Sequence, residues 1–375
     1  MDIYLDNSAT TAVCRDAAEA AYSAMTEFYG NPSSIHKKGI EARRLLEDAR
    51  GSIAGLLGVN SEEIFFTHGG TESNNTAIFG AVNKGKRFGN KIVTTSVEHP
   101  SVKEPIRVLD SQGYKVVRLK ADKNGDFDVD ELYESVDKST ILVSIMAVNN
   151  EVGTIYKTEQ AAAAIRAAGS HALLHVDAVQ AFGKLRLNPA RSGIDLMSMS
   201  AHKLHGPKGV GALYVRKGAG ITPISFGGGQ EKAMFPGTEA MPAIVGFGAA
   251  VRALGDIELN LMKAANLNKI LRYELSKIKG VFFNSPENAL PYILNLSVKG
   301  IPSQVLVNFL SDKGIYVSAG SACKKGKRSE VLTAMGLPPS IVDSAIRISL
   351  SRFNTENEMF ETAKAIEEAT QRLRR

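Results

Sequence analysis

The stretch Asp195-Leu196-Met197-Ser198-Met199-Ser200-Ala201-His202-Lys203 predicts a short buried strand that delivers a lysine to the loop beyond it. Its apolar and small residues suit a strand covered on both faces, which is typical of a parallel sheet. An ammonium group at such a strand end is costly to bury unless it is paired, neutralised or used covalently. On this stretch alone two interpretations stay open. Lys203 either reaches back to solvent, which is the commoner case, or forms a Schiff base with a carbonyl ligand.

Similar apolar runs occur before and after this stretch and alternate with helical patterns. The predicted strands lie at 64–66, 91–95, 141–145, 173–176, 196–200 and 210–215, and the predicted helices at 15–28, 40–57, 72–84, 101–112 and 159–168. Near-continuous apolar strands separated by amphipathic helices predict the α/β class, with a mostly parallel sheet covered by helices on both faces.

The last third of the chain has a different order of elements. A long helical stretch is predicted at 242–277, followed by a strand at 292–298, a helix at 304–313, a strand at 345–350 and a final helix at 356–374. We therefore expect a large domain over residues 13–250. A smaller α+β domain is expected from residues 1–12 and 251–375, joined to the first by the long helix.

Composition narrows the function classes. The 375 residues are 44% hydrophobic and 22% charged with a net charge of +6, and the basic residues are spread through the predicted helices. This favours solvated helix faces over a nucleic-acid groove. No apolar run has transmembrane length, the N-terminus lacks signal-peptide features, and the two cysteines, Cys14 and Cys323, cannot form a disulfide framework. We expect a cytoplasmic protein without nucleic-acid, membrane or metal ligands.

Polar residues follow several of the predicted strands. Gly69, Gly70 and Thr71 lie between a strand and a helix, where glycine backbone and a helix N-terminus suit a phosphate, although a capped turn is equally consistent. Asp177 ends another strand and could pair with a pyridinium nitrogen or merely cap a helix. His99 could stack on a flat ring and shuttle protons, although a lone histidine before a proline is more often structural.

The carboxyl ends of parallel strands lie at one edge of a sheet, so these residues are expected to meet there. Asn150, after the strand at 141–145, adds a group that could hold a ring hydroxyl or close a turn. A phosphate cradle, a ring-facing histidine, a pyridinium partner and a lysine are the groups that pyridoxal 5'-phosphate (PLP) requires. Together they predict a PLP site and favour Lys203 as the Schiff-base lysine.

With these motifs in place, the chain resembles the cysteine desulfurases, a branch of the class V aminotransferase family of fold-type-I PLP enzymes. The likeness extends over essentially the whole chain and is carried by residues 4–11, 30–34, 71–75, 98–99, 148–153, 175–180, 201–203, 206–209, 227–231, 237–238, 320–323 and 346–349. It implies conversion of L-cysteine to L-alanine with sulfur passing to Cys323 as a persulfide. The nearest alternatives are other PLP enzymes of this class, namely a selenocysteine lyase, a β-eliminating lyase or an aminotransferase.

The resemblance also implies site roles. Lys203 would hold PLP as the Schiff base. Asp177 would face the pyridine nitrogen, and Asn150 and Gln180 the ring hydroxyl. The phosphate would be held by Gly70, Thr71, Ser200 and His202. The resemblance places His99 over the ring as the acid–base group and Asn31 and Arg347 at the substrate carboxylate, a task that suits arginine. It further implies a homodimer in which Thr238 reaches the phosphate of the partner subunit.

Cys323 lies between small residues and the basic run at 324–328, which favours an exposed loop carrying a reactive thiolate over a small buried hydrophobe. The run is interpreted as a solvated loop, with contact to an acidic partner as the alternative. The resemblance implies a sulfur acceptor, either an iron–sulfur cluster scaffold or a thiolation acceptor. Cys14 is interpreted as structural. Two departures from relatives are Phe235, where arginine is usual, and His68, where a small residue is common.

Overall fold

A computed structural model describes residues 2–319 and 328–373 of the chain. The helices, α1–α13 in chain order, are Arg15–Thr26, Lys37–Leu57, Gly70–Gly85, Pro100–Ser111, Val129–Ser135, Thr158–Ala167, Pro189–Ser192, Met241–Arg252, Ile257–Ser276, Ser303–Asp312, Glu330–Ala334, Pro339–Val342 and Glu356–Leu373. The strands, β1–β12, are Ile3–Tyr4, Ile64–Thr67, Lys91–Thr95, Lys115–Leu119, Thr140–Met146, Leu173–Asp177, Leu196–Ser200, Gly211–Val215, Val281–Phe283, Ile293–Val298, Ile315–Tyr316 and Ala345–Ser349.

The central sheet has the strand order β2-β8-β7-β6-β5-β3-β4. The strands from β7 to β4 run parallel to one another, while β8 is antiparallel to both β7 and β2. The α/β class and the mostly parallel sheet are thereby confirmed. Because β3, β5, β6 and β7 point the same way, the residues at their carboxyl ends share one edge of the sheet.

Apolar side chains cover both faces of this sheet. Along β5 and β7, Leu142 and Leu196 pack into a cluster that contains residues of α3 and α4. Their neighbours Val143 and Met197 pack into the larger cluster on the other face, which contains residues of α1, α2 and α8. Every residue of β5 and β7 is buried. Continuous burial explains why these strands are apolar runs without alternation.

Two smaller sheets lie outside the central one. Strands β12, β10 and β9 form an antiparallel sheet, and β1 pairs in parallel with β11. Asp6 bridges to Ser349, which joins the N-terminal segment to the last strand. Helices α9 and α13 pack against each other beside these sheets. The domain limits at residues 12/13 and 250/251 stay a prediction.

The prediction of one long helix over 242–277 is wrong. The structure has two helices there, α8 and α9, separated by residues 253–256. Gly255 adopts a positive φ of 65°, a conformation that stops a helix and that glycine adopts without strain. The Asp256 carboxylate then accepts a hydrogen bond from the backbone N–H of Glu258 at 2.8 Å and caps α9.

Within the described residues, no helix combines the length and the apolar character needed to span a lipid bilayer.

Candidate active site

A cavity with an empty volume of about 1230 Å³, part of it open to solvent, lies at the carboxyl edge of the central sheet. The predicted site residues that line it are Gly70, Thr71, His99, Asn150, Asp177, Gln180, Ser200, His202, Lys203 and Arg347. The structure thus brings together residues from six separate segments of the chain.

One end of the cavity suits a phosphate. Gly70 and Thr71 form the first turn of α3, whose free backbone N–H groups and positive end favour an anion. A Cβ atom on Gly70 would lie 2.7 Å from Cγ2 of Val179, so any other residue there would require Val179 to shift. Burial, followed by the charge of Lys203, lowers the pKa of His202 to about 4. A neutral His202 can donate a hydrogen bond at this end.

Lys203 lies in a 3₁₀ turn that directly follows β7. Its Nζ donates hydrogen bonds to the carbonyl oxygens of Ser8 and Ala9, at 2.6 and 2.7 Å. These contacts satisfy the amine while keeping it on the cavity wall. Lys203 therefore lines the cavity, where a carbonyl ligand would lie within reach of its amine.

Asp177 is the last residue of β6 and is buried. Its Oδ1 accepts a hydrogen bond from the backbone N–H of Val179 at 3.0 Å, and its Oδ2 accepts one from Nδ2 of Asn74 at 2.8 Å. In the described part of the chain no cation pairs with this carboxylate. A buried carboxylate in that position suits a protonated ring nitrogen of a ligand.

His99 is the N-cap residue of α4. Its Nδ1 lies 3.2 Å from the backbone nitrogen of Ser101, which donates to it, and 2.7 Å from Oγ of Ser101. Burial lowers the pKa of His99, against the raising effect of Asp177. The imidazole is therefore neutral near pH 7 and turns its other ring nitrogen away from the helix.

Gln180 is held by a residue that the sequence did not single out. Its Nε2 donates to the carbonyl oxygen of Ser8 at 3.0 Å, and its Oε1 accepts from Nζ of Lys184 at 3.2 Å. Lys184 is only 7% exposed, and burial lowers its pKa to about 7. In the sequence, the one signal for Lys184 is that it lies four residues after Gln180, on the same turn.

Glu98 is a second residue whose role was not predicted from the sequence. Its Oε1 accepts hydrogen bonds from Oγ1 of Thr95 and from the backbone N–H of Met146, whereas Oε2 has no hydrogen-bond partner among the described residues. Burial raises the pKa of Glu98 to about 8. The wall of the cavity beside His99 therefore carries a protonated carboxylic acid at neutral pH.

Arg347 lies on β12, is 2% exposed and lines the cavity. Its Nη1 donates to the carbonyl oxygen of Asn150 at 2.8 Å, and its Nη2 pairs with Asp6 at 2.9 Å. Its Nε is buried and has no hydrogen-bond partner in the part of the chain that the structure describes. Such an orphaned donor suits a bound carboxylate.

Two predicted residues, Asn31 and Thr238, do not line the cavity, and a third, Cys323, is not among the described residues. Asn31 is exposed, and its side-chain oxygen accepts from the backbone N–H of Ser33. Thr238 is exposed and does not line the cavity of its own chain. Cys323 lies outside the described residues, but Arg328 and Val331, which follow its segment, line the cavity.

The two departures from relatives have local explanations. Phe235 is partly buried and packs against the apolar cluster on the α3 and α4 face of the sheet. His68 is exposed, and its Nδ1 lies 3.0 Å from a carboxylate oxygen of Glu72. Neither side chain lines the cavity.

The cavity residues fit PLP. They offer a helix N-terminus for the phosphate, the Asp177 carboxylate for the ring nitrogen, and Lys203 for the aldehyde. The orphaned Nε of Arg347 is left for a substrate carboxylate. No cluster of three or more potential metal ligands occurs among residues 2–319 and 328–373.

Comparison with known proteins gives the same classification. The model of the family "Aminotransferase class-V" matches residues 3–360. A cysteine desulfurase from a Nostoc species is 42% identical over 99% of this chain and 94% of its own length. The chain belongs to the class V aminotransferase family and, within it, to the cysteine desulfurases. The members of this family use PLP, and so does this enzyme.

Solved structures agree with this assignment. A structure described as a NifS-like protein has a TM-score of 0.93 and 40% identity, covering 99% of this chain and all of its own. SspA in complex with cysteine has a TM-score of 0.83 and 32% identity, covering 94% of this chain and 100% of its own. Both likenesses cover more than nine-tenths of this chain.

Proposed function

We propose that this enzyme converts L-cysteine to L-alanine and takes the sulfur onto Cys323 as a persulfide. The observation that carries the proposal is where the Cys323 segment leaves and rejoins the described chain. Ser318 forms two backbone hydrogen bonds with Arg347, and Arg328 and Val331 line the same cavity. Cys323 is five positions before Arg328. Five residues span at most roughly 18 Å, so the chain length allows the Cys323 thiol to reach the cavity.

The substrate is held by its carboxylate. Nε of Arg347 is a buried donor without a partner in the described chain, and the substrate carboxylate is the acceptor that we assign to it. The ion pair with Asp6 fixes the guanidinium plane before the substrate arrives. A fixed donor reduces the entropy lost on binding. Cysteine, which SspA holds in its complex, is the substrate that we assign to this site.

PLP, when bound, withdraws electrons from the bonds at the substrate α-carbon. The chain supplies the proton transfers. Lys203 carries an amine at the cavity wall that can move a proton to and from substrate carbon. Asp177 would keep the ring nitrogen of PLP protonated, and His99, which lines the same cavity, would hold a proton at the substrate.

The sulfur transfer balances without an external oxidant or reductant. The Cys323 thiolate attacks the substrate sulfur, so an S–S bond forms as the substrate C–S bond breaks. The electron pair of the broken bond stays on the substrate carbon side, where protonation completes alanine. L-Cysteine and the Cys323 thiol are thus converted to L-alanine and the Cys323 persulfide.

We further propose a cytoplasmic homodimer that passes this sulfur to an acceptor protein. Thr238 is exposed and lies outside the cavity of its own chain, as expected of a residue that serves the site of a partner. The basic run at 324–328, next to the sulfur-carrying cysteine, suits an acidic acceptor surface. An iron–sulfur cluster scaffold and a thiolation acceptor are the two classes of acceptor that we propose.

The replacement Cys323→Ser tests the reaction. We expect the variant to keep the visible absorbance of bound PLP and to lose persulfide and sulfide formation from L-cysteine by at least about 100-fold, since a hydroxyl is a poor nucleophile for sulfur. The measurement is sulfide release with a thiol reductant, alongside the absorbance spectrum.

Cys14→Ser is the matched control. Cys14 is buried at the start of α1 and does not line the cavity, so this variant should release sulfide at the wild-type rate. A Cys323→Ser enzyme that released sulfide as fast as the wild type would overturn the proposed mechanism and favour a β-eliminating lyase.

A further inference from the structure

We infer that a chain of hydrogen bonds from Asp177 through Asn74 and Ser101 holds His99 as the Nε2–H tautomer, with Ser101 acting as a positioning residue. The tautomer rests on the contacts alone, while its use in catalysis rests on the proposed function. The four residues come from β6, α3 and the N-terminus of α4.

The Nδ1 atom of His99 must be the unprotonated nitrogen. The backbone N–H of Ser101 points at it from 3.2 Å, and a backbone N–H can only donate. Nδ1 therefore accepts this bond. Oγ of Ser101 lies 2.7 Å from the same atom, so its hydroxyl must donate as well. Two donors converge on Nδ1, and the single proton of the neutral ring stays on Nε2.

Asn74 fixes the direction of the Ser101 hydroxyl. Its Nδ2 donates to Oγ of Ser101 and to Oδ2 of Asp177, both at 2.8 Å. Asn74 is fully buried. Because a carboxylate only accepts, it selects the amide orientation in which NH₂ faces Asp177. Ser101 accepts from that amide and is left with its own proton to give to His99.

The Nε2 atom of His99 is the free end of this chain. His99 lines the cavity, and no described residue accepts a hydrogen bond from Nε2. The N–H group is therefore available to a lone pair or an anionic atom of a bound ligand. With this arrangement His99 enters the reaction as a hydrogen-bond donor. Asp177 determines which ring nitrogen of His99 carries the proton, acting through the side chains of Asn74 and Ser101.

The same contacts oppose a second proton on the ring. Protonation of Nδ1 would bring its N–H against the N–H of Ser101 and place a positive charge at the positive end of α4. The charged groups that face the ring are Asp177, which favours the protonated form, and Lys203 and Lys103, which disfavour it. Glu98 next to it is uncharged at neutral pH because burial raises its pKa.

The test is nitrogen NMR of the holoenzyme labelled with ¹⁵N-histidine. The chain has seven histidines, and the His99→Asn variant identifies the two signals that belong to His99. At pH 7.5 we expect a protonated Nε2 and an unprotonated Nδ1. A protonated Nδ1 or a doubly protonated ring would overturn the inference.

Ser101→Ala and Ser101→Thr separate the hydroxyl from the fold. Loss of the hydroxyl removes a donor that stabilises the neutral ring, so the proton affinity of His99 should rise about fivefold, roughly 0.7 pH unit in the NMR titration midpoint. Threonine keeps a hydroxyl and should restore the wild-type midpoint. A midpoint that is unchanged in Ser101→Ala, or equally shifted in both variants, contradicts the role of Ser101.

These outcomes are separate from those that test the proposed function. If the NMR titration behaves as expected but cysteine is not desulfurated, only the proposed function fails. If sulfur is transferred normally while His99 carries its proton on Nδ1, only the hydrogen-bond inference fails.

Discussion

His175 is a buried imidazole and His99 a half-buried one; serine hydroxyls hold both, but the two rings leave different groups free. His175 lies in the middle of β6, with Nδ1 2.8 Å from Oγ of Ser144 and Nε2 3.0 Å from Oγ of Ser198. Both of its nitrogens are satisfied inside the protein. His99 uses only Nδ1 in this way and keeps Nε2 for the cavity.

The difference separates a structural role from a functional one. Burial lowers the pKa of His175 to about 3, so this side chain is a neutral link between neighbouring strands. Burial lowers the pKa of His99 as well, but one of its polar atoms has no partner in the described chain. A polar atom that lines a cavity without a protein partner can be satisfied by a bound ligand.

Of the two histidines, His99 should give the larger loss of activity when it is replaced by asparagine. Asparagine is a good N-cap, so α4 should keep its start while the imidazole is lost. We expect turnover of L-cysteine to fall by about 10²- to 10⁴-fold, the range for loss of an acid–base group, with the unfolding midpoint nearly unchanged. Steady-state kinetics and thermal unfolding measure the two quantities. A His99→Asn variant with turnover within tenfold of wild type would contradict the functional role of His99.

His175→Leu should have the opposite profile. The hydroxyls of Ser144 and Ser198 lose their partners in a fully buried site. We expect the free energy of unfolding to fall by about 2–4 kcal/mol, while turnover stays within about tenfold of wild type because the ring does not line the cavity. Denaturant unfolding at pH 8 measures the loss.

The pH dependence of unfolding, compared between wild type and His175→Leu, tests whether His175 is held neutral. The folded-state pKa of His175 is about 3, against about 6.5 in the unfolded chain. Its contribution to stability is therefore complete above pH 6.5 and is lost as pH falls toward 3, since the unfolded state then binds a proton that the folded state excludes. Wild type should lose up to about 1.4 kcal/mol per pH unit more than His175→Leu in this range. Equal slopes would show that His175 is not held neutral.

Much of the site could be predicted because it depends on one topological rule. Asp177 and Ser200 end parallel strands and Lys203 follows one, and the carboxyl ends of such strands meet whatever the details of packing. The apolar runs were sufficient to locate those strands. Gly255 and Asp256 also indicate the break between α8 and α9, but the helical periodicity on both sides of it favoured one continuous helix.

The hydrogen-bond network could not be predicted in this way. The contacts of Asn74 with Ser101 and Asp177 depend on how closely α3 packs against α4 and β6, which no local pattern encodes. The role of Lys184 likewise depends on its burial beside Gln180, which the sequence does not show. Asn31 shows the converse, because its motif matched relatives while its side chain lies outside the cavity of its own chain.

Passage of the substrate sulfur to Cys323 is the step on which the proposed function depends. It can be followed by mass spectrometry of peptides from the holoenzyme, alkylated after one exposure to L-cysteine. We predict one added sulfur atom on the Cys323 peptide, none on the Cys14 peptide, and one alanine formed for each persulfide. Alanine formation with an unmodified Cys323 would contradict the proposed transfer.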